Sequence, residues 1–544
     1  MGRLSLRVVA GPGGGLSGQR WLAGGVLVVG MVSPVWAQAG SDGGGPVTPP
    51  VLQSGQTTII EDSKDKILTP KQQKDLLGSE DTILHFVSKD TQLPIKEAVK
   101  CRFVSRDAVA RELRKKFDED KDTKRMERSE LVLKKFGLLD RDFNLRPFLL
   151  SLLTEQIAGF YDNKTKQMNL LDWVPIDQQK PVMAHELTHA LQDQKVGLTK
   201  WDDNEIEGTA KNVAEDNKHI AVDETDTARE AVLEGQAMVS FADYFLETNG
   251  QPGRTIRDMP QVGEKIANDA GDVSDSPVLA RAPLVLQQAL LFPYGAGLRF
   301  EQAVLMKDGT EKAFAGVLDA PPNSSYEIMT PNAYLTHAPV PVMRLPDLHP
   351  MLKEAGYEPY DVGVMGELDV RMTAELFGGK PLAEALAPAW GGGIYMAVQK
   401  SKATDAEKTT TGSLALLYSS QWKNEDSARS FFEVFDQEMP RQYDGLVRRK
   451  DDEKDENERV YTTREGDVLL TLEGKKVWVS EGFDAALARK LREVVDTANP
   501  EGNGPLKVAG NRVQGSGPRV ESSELTGRLV KAMQGFGMMR AGLR

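Results

Sequence analysis

The chain has 544 residues, with 67 Lys and Arg against 80 Asp and Glu, a formal net charge of −13 and a pI near 5.2. That length allows two or three domains, and the acidic balance argues against general nucleic-acid binding. The single cysteine, Cys101, excludes an intramolecular disulfide, so core packing must supply the stability.

Residues 1–39 read as an export signal. Arg3, Arg7 and Arg20 give a positive start, residues 21–35 are apolar but short for a membrane span, and Ala37-Gln38-Ala39 is a small-residue cleavage pattern. Cleavage after Ala39 predicts a periplasmic or secreted protein in a bacterial source; an uncleaved N-terminal anchor is the alternative. No later stretch reaches eighteen uninterrupted apolar residues, so no stable membrane span is expected after cleavage. Residues 40–58 read as a flexible linker, rich in Gly, Pro and Ser up to 56. Residues 59–143 are charged and mostly helical in pattern, with helical spacing at 106–116 and 129–139. The charge run at 118–125 between them reads as a solvated helix face or loop. Cys101 has no paired ligand nearby and is not expected to bind metal.

Residues 144–345 form the next unit. An amphipathic helix is predicted over 146–157, with Phe148, Leu149, Leu152 and Leu153 on its apolar side. A hairpin follows, pairing Phe160 and Tyr161 with residues 167–171 around a turn at Asp162 and Asn163. Then comes Val182-Met-Ala-His-Glu-Leu-Thr-His-Ala-Leu-Gln-Asp-Gln194, with Asp177 and Pro181 as helix-start signals. His185 and His189, four apart, project from one helix face and can hold one metal ion at about 2 Å each. Glu186 beside them is placed to take a proton from water activated by that ion, the core of a zinc hydrolase site. Tyr161, on the hairpin before this helix, is a candidate cleft residue; a plain sheet role is the alternative.

A catalytic zinc needs a third protein ligand. No third histidine follows His189 at metzincin spacing, which points to a glutamate on a later helix. Residues 227–244 carry Glu230 and Glu234 on one face, with Ala231, Ala237, Met238 and Phe241 on an apolar side. Glu234 is the preferred ligand because it lies in the most apolar part. The reverse assignment, with Glu230 as ligand and Glu234 orienting a histidine, stays open. Gly235 and Ala237 are small enough to let the motif helix approach closely. His219, in the polar stretch 201–226, reads as a loop histidine.

Downstream, residues 276–301 read as an apolar helix running into Phe292-Pro-Tyr-Gly-Ala-Gly297. Prolines 321, 322, 331, 339 and 341 predict an extended segment. Tyr294, Tyr334 and His337 are candidates for stabilising an oxyanion, with packing as the plainer role. Residues 355–498 predict an α+β accessory domain. Its strands are expected at 394–399, 414–418, 459–463, 468–473 and 476–480, with helices at 425–438 and 484–495. Residues 499–544 read as a poorly ordered tail.

The sequence resembles gluzincin-type zinc metallopeptidases, the HExxH-plus-glutamate group that includes thermolysin. More closely, it is similar to a set of uncharacterised exported bacterial proteins. The resemblance rests on Gly159-Phe-Tyr-Asp162, His185-Glu-Leu-Thr-His-Ala-Leu-Gln-Asp-Gln194 and Leu233-Glu-Gly-Gln-Ala237. Phe292-Pro-Tyr294, Pro321-Pro-Asn-Ser-Ser325 and Tyr334 support it; it covers residues 145–340, with a weaker likeness to about 400. It implies an α+β protein with a zincin-like, mostly helical catalytic domain bearing a small sheet edge, one Zn2+ ion, and hydrolysis of a peptide or protein substrate. One departure is Met238, which stands four residues after Glu234, where thermolysin-like proteins carry an aspartate that orients the first histidine. The alternative expectation is a non-catalytic envelope binding or assembly protein that keeps a metal-stabilised scaffold.

Overall fold

The structure, a computed structural model, describes residues 68–500 apart from 120, 158, 175, 202–208, 271–272 and 274–275. The expected signal segment, the linker and nearly all of the expected tail lie outside the described residues. No helix among the described residues is long and apolar enough to cross a membrane.

The chain is α+β, with a small sheet among helices in its first part and a large antiparallel sheet in its second. Helices α1 (Pro70–Leu77) and α2 (Glu80–Thr91) precede strand β1 (Lys100–Val104). Helices α3 (Arg106–Glu119), α4 (Lys121–Lys135) and α5 (Leu145–Gln156) lead to strands β2 (Gly159–Asp162) and β3 (Gln167–Leu171). Next come α6 (Ile176–Val196), α7 (Leu198–Trp201), α8 (Val213–Val222), α9 (Thr225–Thr248), α10 (Pro260–Asp269) and α11 (Leu284–Asp308). A π-helical turn (Lys312–Gly316) then joins short helices α12 (Val317–Asp319), α13 (Ser325–Met329), α14 (Pro331–Thr336) and α15 (His349–Glu354).

The small sheet has the order β1-β3-β2, with β1 parallel and β2 antiparallel to β3. The expected hairpin forms, with Phe160 opposite Asn169 and Tyr161 opposite Met168. The Asp162 carboxylate accepts from the Lys164 and Thr165 amides at 2.9 and 3.2 Å, so the side chain builds the turn. Strand β1, which carries Cys101, escaped the sequence reading because five residues between charged neighbours give too short a pattern.

Three further expectations are corrected. The proline-rich stretch is not simply extended, since α13 and α14 lie within it. Pro331 occupies a first-turn position, where its missing N–H loses no helical bond, and the Ser324 hydroxyl accepts from the Tyr326 amide to cap α13. His219 is not a loop residue but a buried side chain of α8, which Asn212 caps by accepting from the Ala214 and Glu215 amides. The helix expected at 276–301 begins at Leu284 and continues through Pro293 to Asp308.

The second part opens with β4 (Tyr357–Val364), α16 (Glu367–Gly378) and α17 (Lys380–Leu386). Strand β5 (Trp390–Lys400), α18 (Asp405–Lys408), β6 (Leu414–Trp422) and α19 (Glu425–Gln442) follow. The described residues close with β7 (Val447–Arg448), β8 (Glu458–Thr463), β9 (Gly466–Glu473), β10 (Lys476–Glu481) and α20 (Ala485–Ala498). Among the described residues the sheet order is β4-β5-β6-β10-β9-β8-β7. Strand β4 was not foreseen, because Pro359, Asp361 and Gly363 obscure its pattern. It tolerates them because it lies at the sheet's edge, where its pairing with β5 shifts register between Pro359 and Asp361.

Both faces of this sheet are covered. Tyr395, Ala397, Leu416, Tyr418, Leu470 and Val479 face the core shared with the helical part. The alternating residues Ile394, Met396, Val398, Leu417, Leu469 and Trp478 face a second core that includes Leu352 of α15 and Leu491 of α20. Burial on both sides explains apolar runs such as Leu414-Ala-Leu-Leu-Tyr418.

A buried ionic joint binds the helical part to the sheet. Lys135 of α4 is fully buried, with Nζ 2.9 Å from Glu465 Oε2. Arg141 also meets Glu465, and the Tyr443 hydroxyl donates to Glu481 beside them. Burial alone would raise the Glu465 carboxyl, but Lys135 and Arg141 outweigh it and hold it at about 2. A carboxyl held below its unfolded value of 4.5 contributes fully above that pH, and the contribution is lost as pH falls through about 2. Removing one partner of a buried pair costs about 3–5 kcal/mol. Lys135→Ala should therefore advance the urea unfolding transition by that amount at pH 7. Glu465→Gln should lower the melting temperature at pH 7, with its deficit against wild type narrowing as pH drops below 4.5. An undiminished deficit at pH 3 would show that the joint is not electrostatic.

Candidate metal centre

Helix α6 forms because apolar residues surround its whole circumference. Val182, Met183, Ala184, Leu187, Ala190 and Leu191 are all buried, so polar residues among them must find partners inside the protein. The helix begins at Ile176, a turn before Pro181, which lies within it. His185, Glu186 and His189 point into the interior with at most 1% exposure.

Helix α9 crosses α6 and delivers Glu234, itself 1% exposed. Glu234 Oε2 lies 2.9 Å from His185 Nε2 and 3.7 Å from His189 Nε2, and the two Nε2 atoms are 3.2 Å apart. Donor atoms at about 2 Å around a tetrahedral ion stand about 3.3 Å from one another, so this triangle has the right size. Glu234 Oε2 and the two Nε2 atoms thus converge on one small region of the interior. The three side chains can thus hold a metal ion. Burial alone would raise the Glu234 carboxyl; the two imidazoles outweigh it and hold Glu234 far below the usual carboxylate range. Burial likewise opposes the charged form of His189, yet Glu234 and Glu186 raise its pKa.

The other expected residues divide. Glu230 is buried one turn before Glu234 and does not belong to the converging group. Tyr161 does not present its side chain to a cleft: the ring is buried and its hydroxyl donates to Asp193 Oδ2 at 2.9 Å. Its main chain is what reaches the site, the Tyr161 amide donating to Glu186 Oε2 at 3.0 Å. Tyr294 of α11 stacks near His185, with centroids 6.4 Å apart and planes inclined by 24°. Tyr334 lies elsewhere, its hydroxyl donating to the Ala320 carbonyl and its ring against Phe300. His337 ends α14 in a left-handed conformation and is not part of the group.

Three residues after His189 have roles that the motif did not reveal. Gln192 Oε1 lies 2.8 Å from His189 Nδ1. Asp193 accepts from the Leu198 amide at 3.0 Å and pairs with Lys166, which fastens the hairpin to α6. Gln194 Oε1 accepts from the Lys96 and Glu97 amides at 2.7 and 3.1 Å, tying down the segment before β1. A second polar residue, Gln236, faces Gln192 from α9. The available signal was position: Gln192 shares a helix face with His189.

The small residue Gly235 does not serve the approach of α6, as the sequence suggested. It serves α11, since a Cβ on Gly235 would lie 2.4 Å from the main chain of Gly297. A Cβ on Gly297 would in turn lie 2.1 Å from the Ala231 carbonyl oxygen. This contact sets α11 against α9 and brings Tyr294, one turn before Gly297, toward His185.

Compared with known proteins, the chain matches no family model, no curated protein and no solved structure.

Two outcomes follow. Metal analysis should find one ion per chain in the wild type and in Glu230→Gln, but none in Glu234→Gln; metal loss on changing Glu230 instead would transfer the ligand role. Gly235→Ala forces overpacking that costs about 1–3 kcal/mol or more. Its melting temperature should fall and its metal affinity weaken together, and an unchanged affinity would uncouple the helix crossing from the centre.

Proposed function

We propose that this protein is a zinc-dependent metallopeptidase of the gluzincin type, acting on a peptide or protein substrate after export. The observation that carries the reading is the convergence of His185, His189 and Glu234 with Glu186 on the next helix position. Two imidazoles and one carboxylate make a donor set suited to Zn2+ and leave a coordination position open. A bound zinc would supply Lewis acidity toward the scissile carbonyl and toward water. Glu186 accepts the proton as water attacks and passes it to the departing amine. The Tyr161 amide donates to one oxygen of the Glu186 carboxylate and so orients the group. The order of hairpin, motif helix and carboxylate helix supports a zincin-like arrangement of this part. The positive start, apolar stretch and Ala37-Gln38-Ala39 support export.

One observation favours a second reading. The three ligands and Glu186 are all at most 1% exposed, which suits a structural ion in a non-catalytic scaffold. Under the peptidase reading the helices must part to admit substrate.

Glu186→Gln separates the two. General acid–base catalysis contributes about 10^2–10^4-fold, so cleavage of a peptide panel should fall by at least 100-fold while zinc content stays at one ion. Cleavage by Glu186→Gln at the wild-type rate would sink the mechanism. Zinc-loaded wild type that cleaves no peptide would leave the scaffold.

A further inference from the structure

We propose that Gln192 and Gln236 form a directional amide relay that fixes the tautomer of His189, presenting Nε2 as the metal-facing lone pair. The proposal rests on the reading of the site as a metal centre. Its logic starts at main-chain carbonyls, which only accept hydrogen bonds. Gln236 Nε2 lies 2.9 Å from the Ala313 oxygen and 3.1 Å from the Phe314 oxygen. Those acceptors require the NH2 end of Gln236 to face the π-helical turn, so its oxygen faces Gln192. Gln192 Nε2 then donates to Gln236 Oε1 at 2.9 Å and to the Leu233 carbonyl at 3.0 Å. A second fixed acceptor, Leu233, thus gives Gln192 the same orientation independently. The oxygen of Gln192 therefore faces His189 Nδ1 at 2.8 Å, and Nδ1 must carry the hydrogen.

Reversing either amide would set oxygen against carbonyl oxygen in a fully buried place, which is costly. The relay thus makes the hydrogen on Nδ1 a property of the fold, set before any ion binds. A neutral amide takes the place that a carboxylate often holds behind a metal-binding histidine, so orientation is supplied without adding negative charge. The far end of the relay is itself anchored: α12, continuous with the π-helical turn, meets α6 and α7 through Lys195–Asp319 at 3.0 Å and the Trp201 Nε1 bond to the Leu318 oxygen at 2.8 Å. Both glutamines are positioning residues and neither touches the ion.

The test uses the full chain, with zinc affinity measured by chelator competition and the His189 ring nitrogens read by 15N NMR of the metal-free protein at a pH high enough for the ring to be neutral. Wild type should show hydrogen on Nδ1. Loss of a residue behind a metal ligand weakens binding by about 10–100-fold. Gln192→Leu should do so, and Gln236→Leu, which leaves every ligand contact intact, should do so as well, with the ring nitrogens shifting toward a tautomer mixture. Thr188→Ala is the structural control: its hydroxyl donates only to the Ala184 carbonyl of the same helix, so it should lower the melting temperature and leave zinc affinity unchanged. Folded Gln236→Leu with wild-type affinity and an unshifted Nδ1–H would overturn the relay. Wild type that binds no zinc would remove the metal reading, while the metal-free NMR signature would still decide the relay.

Discussion

The burial of one carboxylate governs the helical part of this protein. Glu234 is held between two imidazoles with almost no exposure. An ionised carboxylate in that position is costly unless a cation offsets it. Three helices have to meet for this to happen: α6 brings the histidines, α9 the glutamate, and α11 closes over them. Gly235 against Gly297 sets how near the last pair can come, because any side chain there would collide with main chain. The packing of glycine on glycine places α11 against the helix that carries Glu234, and so sets how closely Tyr294 approaches the donor triangle.

The residues that could hold a metal ion were legible in the sequence. His185, Glu186 and His189 declare themselves by spacing on one helix, and the hairpin by its short strands around Asp162. Glu234 could be preferred over Glu230 because the apolar residues around it indicated burial. What the sequence did not disclose was relational. Gln192 and Gln236 are 44 positions apart, and nothing local marks either as the other's partner. Gly235 was recognised as a close-approach residue, but the helix approaching it was misassigned, since smallness does not say what comes near.

Other differences have equally plain causes. Proline was read as a signal of extended chain between 321 and 341, yet Pro331 opens a helix, the one helical location where a missing N–H is harmless. His219 sat in a polar stretch, and the Asn212 cap that opens its helix shows only once the helix exists. Nothing local marks Lys135 as an interior residue, because its partner Glu465 is distant in the sequence. Strands such as β6 are apolar without alternation because both faces of the large sheet are covered.

The irregular strand β4 has a meaning beyond its concealment from sequence reading. A sheet of this size offers unpaired main-chain groups at each margin to any other extended chain, including a second copy of itself. Here one margin carries Pro359, a register shift and the exposed Glu358, while the other ends in the two residues of β7. Neither margin provides a long, flat template. The same residues that break the strand's pattern therefore keep the sheet finite, protecting the chain against edge-to-edge aggregation at high concentration.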